Sequence, residues 1–174
     1  MDSHNVAASN RILHLAETQL HSTWMLPSLG SFKINVDGAL YPTKKLAGIG
    51  VVIRDLQGKL MAALCRKIKA HWECLKLKLK AYEAGVLLAR HLGLRDGVLE
   101  GDSLTISNAL KRITMPPTSV AAIVEGIHDL GFEIGVVNFS RVHRLGNKPA
   151  HILARQGLSL VSDVIWIEET PCYI

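Results

Sequence analysis

From residue 32 onward the hydrophobic period of the chain changes several times, and each change marks an element. Phe32, Ile34 and Val36 alternate with Lys33, Asn35 and Asp37, the period-two pattern of a strand with one apolar face and one face ending in a carboxylate. Gly48 to Ile53 and Lys59 to Leu64 are nearly continuous apolar runs, and Arg54-Asp55-Leu56-Gln57-Gly58 between them reads as a hairpin turn. Together they predict an antiparallel meander whose first connection, Ala39 to Leu46, carries Pro42, Lys44 and Lys45. From Leu79 to Leu92 the period becomes helical: Leu79, Tyr82, Val86 and Ala89 share a stripe, and Gly93 stops the helix. A short strand at Val98 to Glu100 and a short helix at Ser103 to Leu110 follow. Ser119 to Leu130 reads as a helix with Ser119 as N-cap, and Ile134 to Val142 as a strand. Asn147 is expected to cap a last helix through Gly157, with Pro149 acceptable in its first turn.

This order predicts an α/β fold with a mixed five-stranded sheet, three antiparallel strands then two parallel additions, flanked by helices. Residues 31–158 form that domain. Residues 1–30 read as an N-terminal helix over 5–22 and a linker docking through Trp24, and 159–174 as a C-terminal tail. The N-terminal helix is the expected contact for any protein partner of an otherwise monomeric chain.

Composition narrows the function. A chain of 174 residues with 48% hydrophobic and 20% charged positions supports one domain with a core and excludes a largely disordered protein. A net charge of +5 suits a polyanionic partner. Cys65, Cys74 and Cys172 form no Cys-x-x-Cys pair, which fits a reducing, intracellular compartment. No apolar stretch approaches the roughly 20 residues that cross a bilayer, so no membrane role is expected.

Three acidic residues fall at different kinds of place: Asp37 on the first strand, Glu83 on the first long helix, and Asp102 after the short strand. Singly they read as a turn aspartate, an edge carboxylate and a helix-start carboxylate. Glu83 lies four positions after Leu79, close to the stripe that faces the sheet, where an unpartnered carboxylate is costly. Convergence of the three would place like charges together, which hard divalent cations with oxygen ligands make tolerable.

Lys33-Ile34-Asn35-Val36-Asp37-Gly38-Ala39, Gly48-Ile49-Gly50-Val51-Val52-Ile53-Arg54-Asp55, Ala81-Tyr82-Glu83-Ala84, Glu100-Gly101-Asp102-Ser103 and Asn147-Lys148-Pro149-Ala150-His151 occur in this order. The set resembles type 1 ribonuclease H domains, and more narrowly the ribonuclease H-like proteins abundant in plants and related to retroelement reverse transcriptases. The resemblance implies a metal-dependent endoribonuclease that hydrolyses the RNA strand of RNA–DNA hybrids with two Mg²⁺ or Mn²⁺ ions. It casts Asp37, Glu83 and Asp102 as metal ligands and catalytic residues, with His151 in place of the usual fourth aspartate. Imidazole suits Mn²⁺ better than Mg²⁺. The alternative is a catalytically weak or inactive, retroelement-derived domain that binds nucleic acid.

Residues 66–80 carry six Lys or Arg against one Glu and lead into the helix bearing Glu83. From this stretch Lys69 and Lys78 are candidate backbone contacts, and Trp72 is a candidate stacking or packing residue. Lys44, Lys45, Asn35, Ser103 and Arg144 are further nucleic-acid candidates, Ser103 having an N-cap as its competing role and Asn35 a backbone hydrogen bond.

Overall fold

The alternating pattern at Phe32 does form a strand. The computed structural model describes residues 24–69, 73–136 and 138–174, and in it β1 spans Phe32–Tyr41 at the middle of a six-stranded sheet. The expected helix over 5–22 and Trp72 lie outside the described residues. β2 (Leu46–Arg54) and β3 (Leu60–Lys69) complete an antiparallel meander, with Asp37 opposite Gly50 and Gly50 opposite Cys65. β4 (Gly97–Gly101) and β5 (Asn138–Arg141) are parallel additions beyond β1.

The sheet order is β5-β4-β1-β2-β3-β6, one strand more than the pattern predicts. The extra strand, β6 (Val164–Ile167), comes from the tail and pairs antiparallel with β3, with Ala63 opposite Trp166. It satisfies the outer edge of β3, whose backbone groups would otherwise be unpaired. Trp166 packs beside Val52, Cys65 and Leu153.

Two layers of helices cover the sheet. On one face α1 (Cys74–His91) and α3 (Thr118–Glu133) enclose the main core, which includes Ile34, Val36, Ile49, Val51, Leu77 and Ile127. α2 (Leu104–Leu110) follows β4, and the Ser103 hydroxyl accepts from Ile106 N–H, capping it. On the other face α4 (Lys148–Gly157) lies across β2 and buries Ala150 and Leu153 against Val52, Ala63 and Cys65.

Several boundaries differ from expectation for local reasons. Helix α1 begins at Cys74, five residues before Leu79. Helix α3 starts at Thr118, after Pro117 at the N-cap, so Ser119 is inside the helix and caps nothing. That helix runs on to Glu133, and Gly135 then takes a positive φ of 68°, so β5 begins only at Asn138.

α4 approaches β2 more closely than side chains allow. A Cβ at Gly50 would collide with the Ala150 carbonyl oxygen and the Ala154 nitrogen, both backbone atoms. The Gly50→Ala variant is therefore expected to lose about 1–3 kcal/mol of stability, measured by urea unfolding; an unchanged midpoint would contradict this packing.

Candidate nucleic-acid cleft

β1 and β4 are parallel in a register that pairs Phe32 with Gly97 and Asn35 with Glu100. Asp37 lies two residues past the last of these pairs on β1, and Asp102 just past the end of β4. Asp37 points to the face covered by α4, together with Lys33 and Asn35, because β-strand side chains alternate. It is 4% exposed.

α4 is tied to β1 beside this carboxylate. The buried Asn147 stands at the N-cap position, yet its side chain caps nothing: its amide donates to the Val36 carbonyl at 2.9 Å. One turn later His151 places Nδ1 2.7 Å from Asp37 Oδ2. Arg144 Nη2 approaches His151 Nε2 at 3.5 Å, so a ring carrying its proton on Nδ1 donates to Asp37 and accepts from Arg144.

From the opposite side α1 contributes a cation. Lys78 Nζ lies 3.3 Å from Asp37 Oδ1 and in direct hydrogen-bond contact with Asp102 Oδ1. The contact with Asp37 is ionic only: this buried oxygen makes no hydrogen bond. Burial by itself would lower the Lys78 pKa, but the Asp102 hydrogen bond and the charges of Asp37 and Asp102 outweigh it, and the net shift is upward.

These groups line a cleft of about 490 Å³ with Tyr41, Cys74 and Arg155. Its lining holds three cations, Lys78, Arg144 and Arg155, against the carboxylates of Asp37 and Asp102. Lys44 and Lys45, exposed in the β1–β2 connection, and Lys69, at the exposed end of β3 opposite Leu46, extend positive charge along the same end of the sheet. Arg155 had no sequence motif to mark it, although its spacing of four from His151 puts both on one face of α4.

Other sequence candidates sit elsewhere. Glu83 is absent from the cleft lining and pairs with Lys80 at 2.6 Å along its own helix. At 3.6 residues per turn, five positions put it about 140° around α1 from Lys78. The helix position that meets the two aspartates is thus Lys78. Asn35 is buried in a separate network, accepting from Trp24 Nε1 at 2.7 Å and donating to Glu100 Oε2 at 2.8 Å, so it does not face a ligand in the cleft. Lys33 joins the same network, 3.4 Å from Glu100, and donates to the Met25 carbonyl. Ser103 is occupied as the α2 cap.

The donor set does not fit a pair of divalent cations. A metal between Asp37 and Asp102 would lie against the Lys78 ammonium. Two unit charges about 4 Å apart repel by about 4 kcal/mol at an effective dielectric constant near 20, and a divalent ion doubles this. Among the described residues, no group of three or more His, Cys, Asp or Glu is arranged to hold a metal ion.

Residues 35–157 match the family model described as reverse transcriptase-like. No curated protein matches the chain. Among solved structures, RNase H1 from Halobacterium salinarum NRC-1 is similar with a TM-score of 0.70 at 21% identity, covering 75% of this chain and 98% of that one. The N-terminal RNase H domain of a Mycobacterium tuberculosis protein gives 0.67 at 19% identity, over 74% and 94% of the two chains. LC11-RNase H1, solved in complex with an RNA/DNA hybrid, gives 0.67 at 18% identity, over 74% and 96%. The RNase H-like fold is thereby shown.

The raised pKa of Lys78 fixes the sign of a pH dependence. A base held more firmly protonated in the folded state contributes stability below its ordinary value of 10.5, and this is lost as pH rises through the folded value. Lys78→Met, which leaves the Asp37 carboxylate without its cation, is expected to cost about 1–3 kcal/mol. The deficit, read by urea unfolding, should stay level from pH 6 to about 10 and shrink only above that; a deficit that disappears near neutral pH would contradict the pairing.

Proposed function

The chain belongs to the reverse transcriptase-like family, and from that premise we propose that it is a ribonuclease H-like domain that binds the phosphate backbone of nucleic acid without needing, or efficiently using, divalent metal. The observation that carries this reading is Lys78 between Asp37 and Asp102. The ammonium offsets the carboxylates that would otherwise repel a polyanion. Arg144 and Arg155 are then left to face a phosphate, as forked donors suited to that geometry. Lys44, Lys45 and Lys69, exposed at the same end of the sheet, are the proposed further phosphate contacts. An RNA–DNA hybrid is the proposed ligand, by likeness to a fold relative solved with one.

A second reading, hydrolysis of the RNA strand of a hybrid with Mg²⁺ or Mn²⁺, draws support from the convergence of Asp37, Asp102 and His151. It requires Lys78 to leave the carboxylates and Glu83 to be dispensable.

Fluorescence anisotropy with a labelled hybrid separates the two. Affinity in EDTA should equal that in Mg²⁺ within about twofold and fall with salt, as phosphate binding does. Arg144→Ala and Arg155→Ala should each weaken binding about tenfold and each reduce the salt slope by about one. Metal-dependent cleavage that is lost in Asp37→Asn would overturn the first reading and establish the second.

A further inference from the structure

We propose that the Lys78 side chain stands in for a divalent cation, and that Lys78 keeps Mn²⁺ or Mg²⁺ out of a site formed by the carboxylates of Asp37 and Asp102. Two observations carry this. The first is geometric: one ammonium reaches a carboxylate oxygen of Asp37 on β1 and one of Asp102 just past the end of β4. The second concerns Asp37 itself. Its Oδ1 is buried and makes no hydrogen bond, so beyond the ionic approach of Lys78 it is an unfilled acceptor aimed into the cleft. Asp37, fixed by β1 and by its contact with His151, is built to accept positive charge.

The lysine carries its charge on a flexible stem from α1, whereas Asp37 and Asp102 are held by the sheet. Removing the ammonium therefore leaves the acceptors in place. Two carboxylates are oxygen donors of the kind that Mn²⁺ and Mg²⁺ both accept. His151 already spends Nδ1 on Asp37 and meets Arg144 at Nε2, so it would serve a metal only by releasing one of these contacts. The two aspartates are the principal ligands, and the site takes one ion.

This inference rests on reading the cleft as one that works without metal, but its test uses Mn²⁺ alone with no nucleic acid, so the two fail separately. Bound Mn²⁺ is counted by loss of the free-ion electron paramagnetic resonance signal, alongside melting curves in EDTA and in millimolar Mn²⁺. The proteins are the full chain, Lys78→Gln, Lys78→Glu, and Lys78→Gln combined with Asp37→Asn. The wild type should show no saturable binding and no Mn²⁺-dependent shift in melting temperature. Lys78→Gln should bind one Mn²⁺ at least tenfold more tightly than the wild type, with a rise in melting temperature. Lys78→Glu should bind more tightly still, and Asp37→Asn should abolish the gain.

Should either single variant unfold in EDTA, recovery of its circular dichroism on adding Mn²⁺ supports the proposal. Saturable Mn²⁺ binding by the wild type would overturn it. So would failure of both single variants to bind or refold with Mn²⁺.

Discussion

Two aspartates joined by one lysine, Asp37 on β1 and Asp102 just past the end of β4, impose an electrostatic problem that the rest of the site answers. Asp37 is fixed by β1, the strand flanked by β2 and β4 near the middle of the sheet, and Asp102 by the end of β4. Neither can retreat without breaking the strand ladder or the turn into α2. Positive charge must come to them, and Lys78 brings it from α1 while His151 donates from α4 on the other face. Lys78 offsets one of the two carboxylate charges, and Arg144 and Arg155 on the same lining bring the cations to three against two carboxylates.

The packing that delivers these groups is specific. Gly50 lets the α4 backbone lie directly on β2, and the Asn147 amide locks the start of that helix to the Val36 carbonyl, one residue before Asp37. On the far side, Gly85 of α1 leaves no room for a Cβ against Val36 and Ile34, so α1 sits close enough for a lysine near its start to reach the aspartates. The lysine–aspartate contacts thus depend on two helix–sheet approaches that tolerate no added side-chain volume.

Much of this was legible in the residues. Phe32, Ile34 and Val36 set the face of β1 and hence the side on which Asp37 emerges, and Val98 to Glu100 was legible as a short strand added to the meander. His151 was visible as a departure in an otherwise familiar segment. Lys78 was visible only as a basic residue because Leu75-Lys76-Leu77-Lys78-Leu79-Lys80 alternates with period two, a pattern that imitates a strand inside what is the first turns of a helix. Starting the helix at Leu79 leaves Glu83 as its only acid, although its phase about the axis turns it away from the cleft. The Trp24–Asn35–Glu100 network and the pairing of β6 with β3 join residues far apart in the chain, and no local pattern announces either.

The position of the Lys78 ammonium is the claim on which the account of the cleft stands. A crystal of the wild-type chain soaked in Mn²⁺, with anomalous data collected near the manganese absorption edge, observes it directly. The account predicts no anomalous peak between Asp37 and Asp102, and Nζ of Lys78 in contact with both carboxylates. A manganese peak bridging the two aspartates, with the lysine swung into solvent, would contradict it.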